Sequence, residues 1–174
     1  MADGKPPREP ERAAIIAALP RLRRFCWALA GNASDGEDLM QAAVERALGR
    51  IDQFEAGTRM DSWLFRIARN LRIDGARTQA RRGSPVSLDD VPEREGVDGL
   101  ALVENRSELA AAQRALAALP DDQRETFVLV VIEGLSYRDA ADILEVPPGT
   151  VMSRLARARD KIDAVIGRGG RGLQ

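Results

Sequence analysis

The chain has 174 residues, 44% of them apolar and 4% aromatic, with a formal net charge of −1. That apolar share supports one or two small cores and excludes wholesale disorder, while the lack of any run of 18 apolar residues excludes a membrane-spanning helix. With no histidine and one cysteine, Cys26, there is no Ser-His-Asp or Cys-His catalytic set, no internal disulfide and no metal-ligand cluster, so neither an enzyme nor a cofactor-dependent protein is expected.

Residues 1–11 are charged and proline-rich and read as a flexible tail. They lack the apolar core of a signal peptide, so a cytoplasmic location is expected. A first helix is predicted from Ala13 to Ala30, where Ile15, Leu19, Leu22, Cys26 and Leu29 recur at helical spacing. Cys26 reads as a small buried hydrophobe on that stripe. Pro20 lies inside the helix and predicts a kink or a split, and Gly31-Asn32 ends it.

Ser34-x-x-Glu37 has the form of a capping box and starts a second helix, to about Gly49, with Leu39, Ala43 and Ala47 on its face. A loop from Phe54 to Arg59 leads to a third helix from Met60 to Arg77. Its apolar stripe is Met60, Trp63, Leu64, Ile67, Ala68 and Leu71, which makes Trp63 a packing residue. Residues 83–103 are rich in Pro, Gly, Ser and acids, have no apolar period, and read as an interdomain linker. Helices follow near 104–118, 121–133, 137–144 and 150–166, and 167–174 read as a second flexible tail. No strand is needed. The expected fold is all-α, with small helical domains at 12–82 and 104–166.

The last two helices have the signature of a helix-turn-helix. Gly134 closes one helix and Ser136-x-x-Asp139 caps the next, which buries Ala140, Ala141, Ile143 and Leu144. Val146-Pro147-Pro148-Gly149 forces a turn, since neither proline continues a helical ladder. Thr150 is then predicted to cap a final helix whose inward stripe is Val151, Leu155 and Ala158. Met152, Ser153, Arg154, Arg157 and Arg159 remain to face outward. A helix that leads with its N-terminus and carries arginines suits major-groove contact, because arginine takes guanine bidentately or grips a phosphate.

Charge along the chain agrees with DNA binding. Arg66 to Arg82 holds six arginines against Asp74, and Thr150 to the end holds five arginines and Lys161 against Asp160 and Asp163. Between them, Asp89 to Glu104 holds six acids against Arg94. Phosphate binding responds to local fields of this kind, so the near-zero total is no obstacle. On the third helix, Asn70 sits among Arg66, Arg69 and Asp74, where an amide can hydrogen-bond an unstacked base.

The segment SYRDAADILEVPPGTVMSRLARARDKI resembles the fourth-region domain of bacterial extracytoplasmic-function (ECF) sigma factors, as does ALPDDQRETFVL at Ala118 to Leu129. EDLMQ, from Glu37 to Gln41, and FEAGTRMDSWLFRIARNLRID, from Phe54 to Asp74, resemble the second-region domain of the same family. The resemblance implies a factor without catalytic activity that lends promoter specificity to core RNA polymerase. It implies docking of Asp38, Leu39 and Gln41 on the β′ clamp helices, and a further contact with the β flap. Phe54, Arg66, Asn70, Asp74 and Arg77 would act at the −10 element. Tyr137, Arg138, Thr150, Met152, Ser153, Arg154, Arg157 and Arg159 would act at the −35 element. An anti-sigma factor is an expected partner.

Two departures stand out. Met152 occupies a position where many members place a lysine or arginine. Glu145 stands where a glycine often closes the helix, which implies a slightly different turn. At the level of sequence two other functions stay open: a sigma-like decoy that titrates an anti-sigma factor, and an ordinary helix-turn-helix regulator of operator DNA.

Overall fold

The computed structural model describes residues 9–55, 57–81 and 111–169, with only the backbone at 79, 80 and 166–169. The helices are α1 (Glu9–Ala30), α2 (Ala33–Leu48), α3 (Met60–Arg81), α4 (111–117), α5 (Asp121–Phe127), α6 (Tyr137–Leu144) and α7 (Pro148–Gly169). Among the described residues there is no strand. The chain divides into two compact units, the first carried by Met1–Asp90 and the second by most of Val91–Gln174. The expected linker at 83–103 lies outside the described residues, as do residues 1–8, 104–110 and 170–174.

In the first unit α1, α2 and α3 each pack against the other two. Leu22, Phe25, Cys26 and Leu29 of α1 are buried with Ala43 and Ala47 of α2 and Leu64, Phe65 and Ala68 of α3. The rings of Phe25 and Phe65 meet at 4.8 Å between centroids, in a tilted arrangement favoured by their quadrupoles. Burial pushes the Cys26 thiol up to about 12, with the charge of Glu37 adding to the effect.

Several expected boundaries shift. α1 begins at Glu9, so residues 9–11 are helical and not part of a tail. Pro20 sits within one continuous helix; its exposed position on the outer side spares the core contacts. Ser34 does not cap α2. Asn32 does, with extended backbone (φ −143°, ψ 164°) and a side-chain oxygen that accepts the Asp35 N–H at 2.8 Å. Gly31 (φ +81°) supplies the reversal, and Asn32 at once opens the next helix. α3 runs four residues past Arg77, to Arg81.

One residue fixes how closely α1 and α2 approach. A Cβ on Gly36 would lie 2.8 Å from the Cα of Trp27, a backbone atom that cannot swing aside. Above this crossing Arg23 pairs with Glu37 and lies over the Trp27 ring at 4.6 Å.

In the second unit α5 packs on α7. Arg124 of α5 is buried, donates to Ala117 O at 3.2 Å and pairs with Asp121, which ties α5 to the end of α4. The expected single helix over 121–133 is instead α5 followed by a π-turn, Val128–Ile132, closed by Glu133 N–H to Val128 O at 2.9 Å. The wider turn leaves Val131 and Ile132 exposed. α6 has its predicted limits, and Ser136 Oγ accepts the Asp139 N–H at 3.1 Å.

The turn into α7 brings one correction. α7 starts at Pro148, with Pro147 O accepting from Thr150 N–H at 2.9 Å, so Thr150 lies in the first turn and is not its cap. Proline fits the first helical position, where no N–H partner is needed and φ is already set. Glu145 follows directly on the last residue of α6. It takes the glycine-like left-handed conformation (φ 55°), at about 1–2 kcal/mol of backbone strain, while Val146 N–H reaches back to Ala141 O at 3.1 Å. α7 also extends to Gly169, beyond the expected start of the second tail.

Candidate nucleic-acid interface

In the first unit the row on α3 begins where the chain enters the helix. Phe54, half-buried, lies against Trp63 with 5.3 Å between ring centroids. Counting about 100° per residue, Trp63, Arg66, Asn70, Asp74 and Arg77 fall within about 80° of arc. Arg66, Asn70, Asp74 and Arg77 are all exposed. The structure therefore gathers the expected −10 set into one outward row, headed by an aromatic pair.

The supports of that row were not apparent in the sequence. Asp61, buried at the start of α3, pairs with Arg21 of α1 and with Arg59, whose Nη2 lies 2.7 Å away, and accepts the Ser62 N–H at 2.8 Å. Burial raises the pKa of its carboxyl, but the Arg59 hydrogen bond, the charges of Arg21 and Arg59 and the Ser62 N–H outweigh that effect and hold it below the usual value. This fixes both the end of the loop and the start of α3 to α1. Arg72, half-buried, donates to Leu29 O at 2.9 Å and satisfies a carbonyl at the end of α1. Arg72 is thus a structural member of the basic run.

On α2, Asp38 and Gln41 are exposed and Leu39 is half-buried. Gln41 Nε2 donates to Glu45 Oε1 at 3.0 Å, one turn along. Beside this segment Leu19, Pro20, Trp27 and Met40 line a shallow apolar groove between α1 and α2.

In the second unit Tyr137 and Arg138 lie exposed in the first turn of α6. On α7 the stripe of Val151, Leu155 and Ala158 is buried, as its spacing predicts. Ser153, Ala156 and Arg157 lie on the opposite face and Met152 on its flank, all exposed. Thr150 is half-buried, and its carbonyl accepts from Ser153 Oγ at 3.0 Å. Arg154 does not face freely outward with the others: it is half-buried, with Nε 3.2 Å from Asp122 of α5. Arg159 is exposed, yet it stands about 160° around the helix from Arg157. Arg154 and Arg157 therefore lie on one side of α7, with Arg154 drawn toward α5, and Arg159 lies on the other side.

The sequence matches Sigma-70 region 2 over residues 15–82 and Sigma-70 region 4 over residues 109–162. It is 38% identical over 157 residues to the ECF RNA polymerase sigma factor EcfG of Rhodopseudomonas palustris (strain TIE-1), covering 87% of this chain and 82% of that protein. The chain belongs to the ECF sigma factors. A second relative of this sigma factor is SigW of Bacillus subtilis (strain 168), 31% identical over 82% of this chain and 81% of SigW. Among solved structures, it superposes with a TM-score of 0.73 on the sigma factor RpoE of Bartonella quintana in complex with the anti-sigma factor NepR. That match is 31% identical and covers 90% of this chain and 96% of RpoE. No helix among the described residues of the sigma factor is long and apolar enough to cross a membrane.

Proposed function

We propose that this sigma factor joins core RNA polymerase in the cytoplasm and brings it to promoters as a two-part reader, without catalytic chemistry of its own. The observation that carries this is that two separate units each present one outward, arginine-bearing face of a 22-residue helix, α3 in the first and α7 in the second. Residues 12–82 form the −10 domain, 83–103 the linker and 104–166 the −35 domain.

On α3 the row of Arg66, Asn70, Asp74 and Arg77 meets the opened −10 strand, with arginines on phosphates and the Asn70 amide on an unstacked base. Phe54 borders the place such a base would occupy. On α7 the N-terminal face enters the major groove of the −35 element. There Met152, Ser153 and Arg157 approach bases, while Thr150, Arg159 and the α6 residues Tyr137 and Arg138 approach the backbone. Arg154 supports the helix through Asp122 and does not read DNA. Asp38, Leu39 and Gln41, an apolar residue between polar ones, dock on the β′ clamp helices, and the second unit meets the β flap.

Control by an anti-sigma factor is part of the proposal, and the RpoE–NepR complex supports it. The test is reconstitution with core polymerase and transcription from a promoter library. Specific start sites that require this chain are the expected result, and none across the library would sink the proposal. If the chain captures an anti-sigma factor yet neither core polymerase nor promoter, it is a decoy.

A further inference from the structure

We propose that the second unit reads an A·T pair in its −35 element, with Met152 packed on the thymine methyl group and Ser153 accepting from the adenine amino group. The inference rests on the promoter-reading role above and names the base pair that role selects.

Met152 is 56% exposed, and among the described residues only Ile16, at 59%, is a more exposed large hydrophobic. It stands in the second turn of α7, on the flank of the buried stripe, about 100° around the helix from Val151 and about 60° from Leu155, with exposed Ala156 one turn further on. Met152 and Ala156 form a short apolar row beside the polar row of Ser153 and Arg157. A major groove offers an apolar row of this kind one kind of apolar group, the C5 methyl of thymine. A methionine side chain is unbranched and polarizable and conforms to such a group.

Ser153 limits the choice further. Its hydroxyl donates to Thr150 O at 3.0 Å, so toward DNA only its oxygen lone pairs remain. An acceptor-only serine takes an amino group, adenine N6 or cytosine N4. Next to a methionine that seeks a methyl group, the pair satisfying both residues is A·T. Arg157, one turn beyond Ser153, then falls on a neighbouring base pair or phosphate.

The experiment uses the full chain bound to core polymerase and a duplex whose −35 element that holoenzyme has selected from a random library. Each thymine of the element is replaced in turn by deoxyuridine, which removes the methyl and keeps base pairing. One position should lose about fourfold in affinity, the worth of one buried methyl-sized group. Met152→Ala should bind the thymine and deoxyuridine duplexes alike, and Met152→Arg should select G·C at that position. No position sensitive to deoxyuridine, or sensitivity retained in Met152→Ala, would overturn the inference. Failure of the wild-type holoenzyme to select any −35 element would overturn the promoter-reading role itself.

Discussion

Helices α3 and α7 have the same length and a similar density of arginine, yet they are held in place by different forces. α7 rests on the apolar stripe of Val151, Leu155 and Ala158, and its start is set by the chemistry of the adjoining turn. α3 also has an apolar stripe, but its entry depends on Asp61 between Arg21 and Arg59, and its middle on Arg72 at Leu29 O. Arginine count therefore predicts neither DNA contact nor support.

Substitutions can break this contrast, and the largest effect belongs to the apolar side. Leu155→Ala should cost about 3 kcal/mol in urea unfolding, since a fully packed leucine is removed from the inward stripe of α7. An effect below 1 kcal/mol would mean that α7 is not held by its stripe. Next comes Gly36→Ala, expected to cost about 2 kcal/mol, because the new methyl meets the Trp27 backbone and forces α1 and α2 apart. A neutral result would place the two helices further apart than the structure has them.

The arginines of α7 sharpen the comparison. Arg157→Ala should weaken promoter binding about tenfold and leave unfolding unchanged. Arg154→Ala should do neither strongly: its partly exposed pair with Asp122 is worth less than about 1 kcal/mol, and its side chain is turned along α5. Equal losses of promoter binding in both variants would refute this division of roles.

The subtlest effect concerns acid. The Asp61 carboxyl is lowered in the folded chain, so its contribution is fully present above the unfolded value near pH 4 and is lost as pH falls through the lowered folded value. Stability of the wild type should thus change little from neutral to about pH 5 on this account and fall below about pH 4. Asp61→Asn should start lower and show a flatter acid limb. Parallel curves for the two proteins would show that Asp61 is not ionised in its pocket.

Sequence legibility follows the same contrast. The limits of α6 could be read because Ser136 and Asp139 lie three residues apart and bond to each other. The start of α2 was misplaced because Asn32 suits the end of one helix as well as the beginning of the next, and Ser34 offered an equally good pattern. The π-turn at Val128–Ile132 was invisible, since an unbroken apolar run fits either helical period. The outward faces of α3 and α7 were visible as periods in the sequence. Their supports were not: Arg21 and Asp61 are 40 residues apart, Leu29 and Arg72 are 43, and no local pattern joins them. For the same reason Arg154 has the same sequence signature as its neighbours, since its partner Asp122 lies on another helix.

Cys26 has a consequence for how the folded protein responds to oxidants. The chain's one thiol is wholly enclosed by the first unit and is held protonated far above neutral pH. The thiolate is the form that attacks peroxides and electrophiles, so this atom reacts only when α1 parts from its neighbours. The folded first unit is therefore closed to thiol chemistry, and the rate at which an alkylating reagent marks Cys26 counts the openings of that unit.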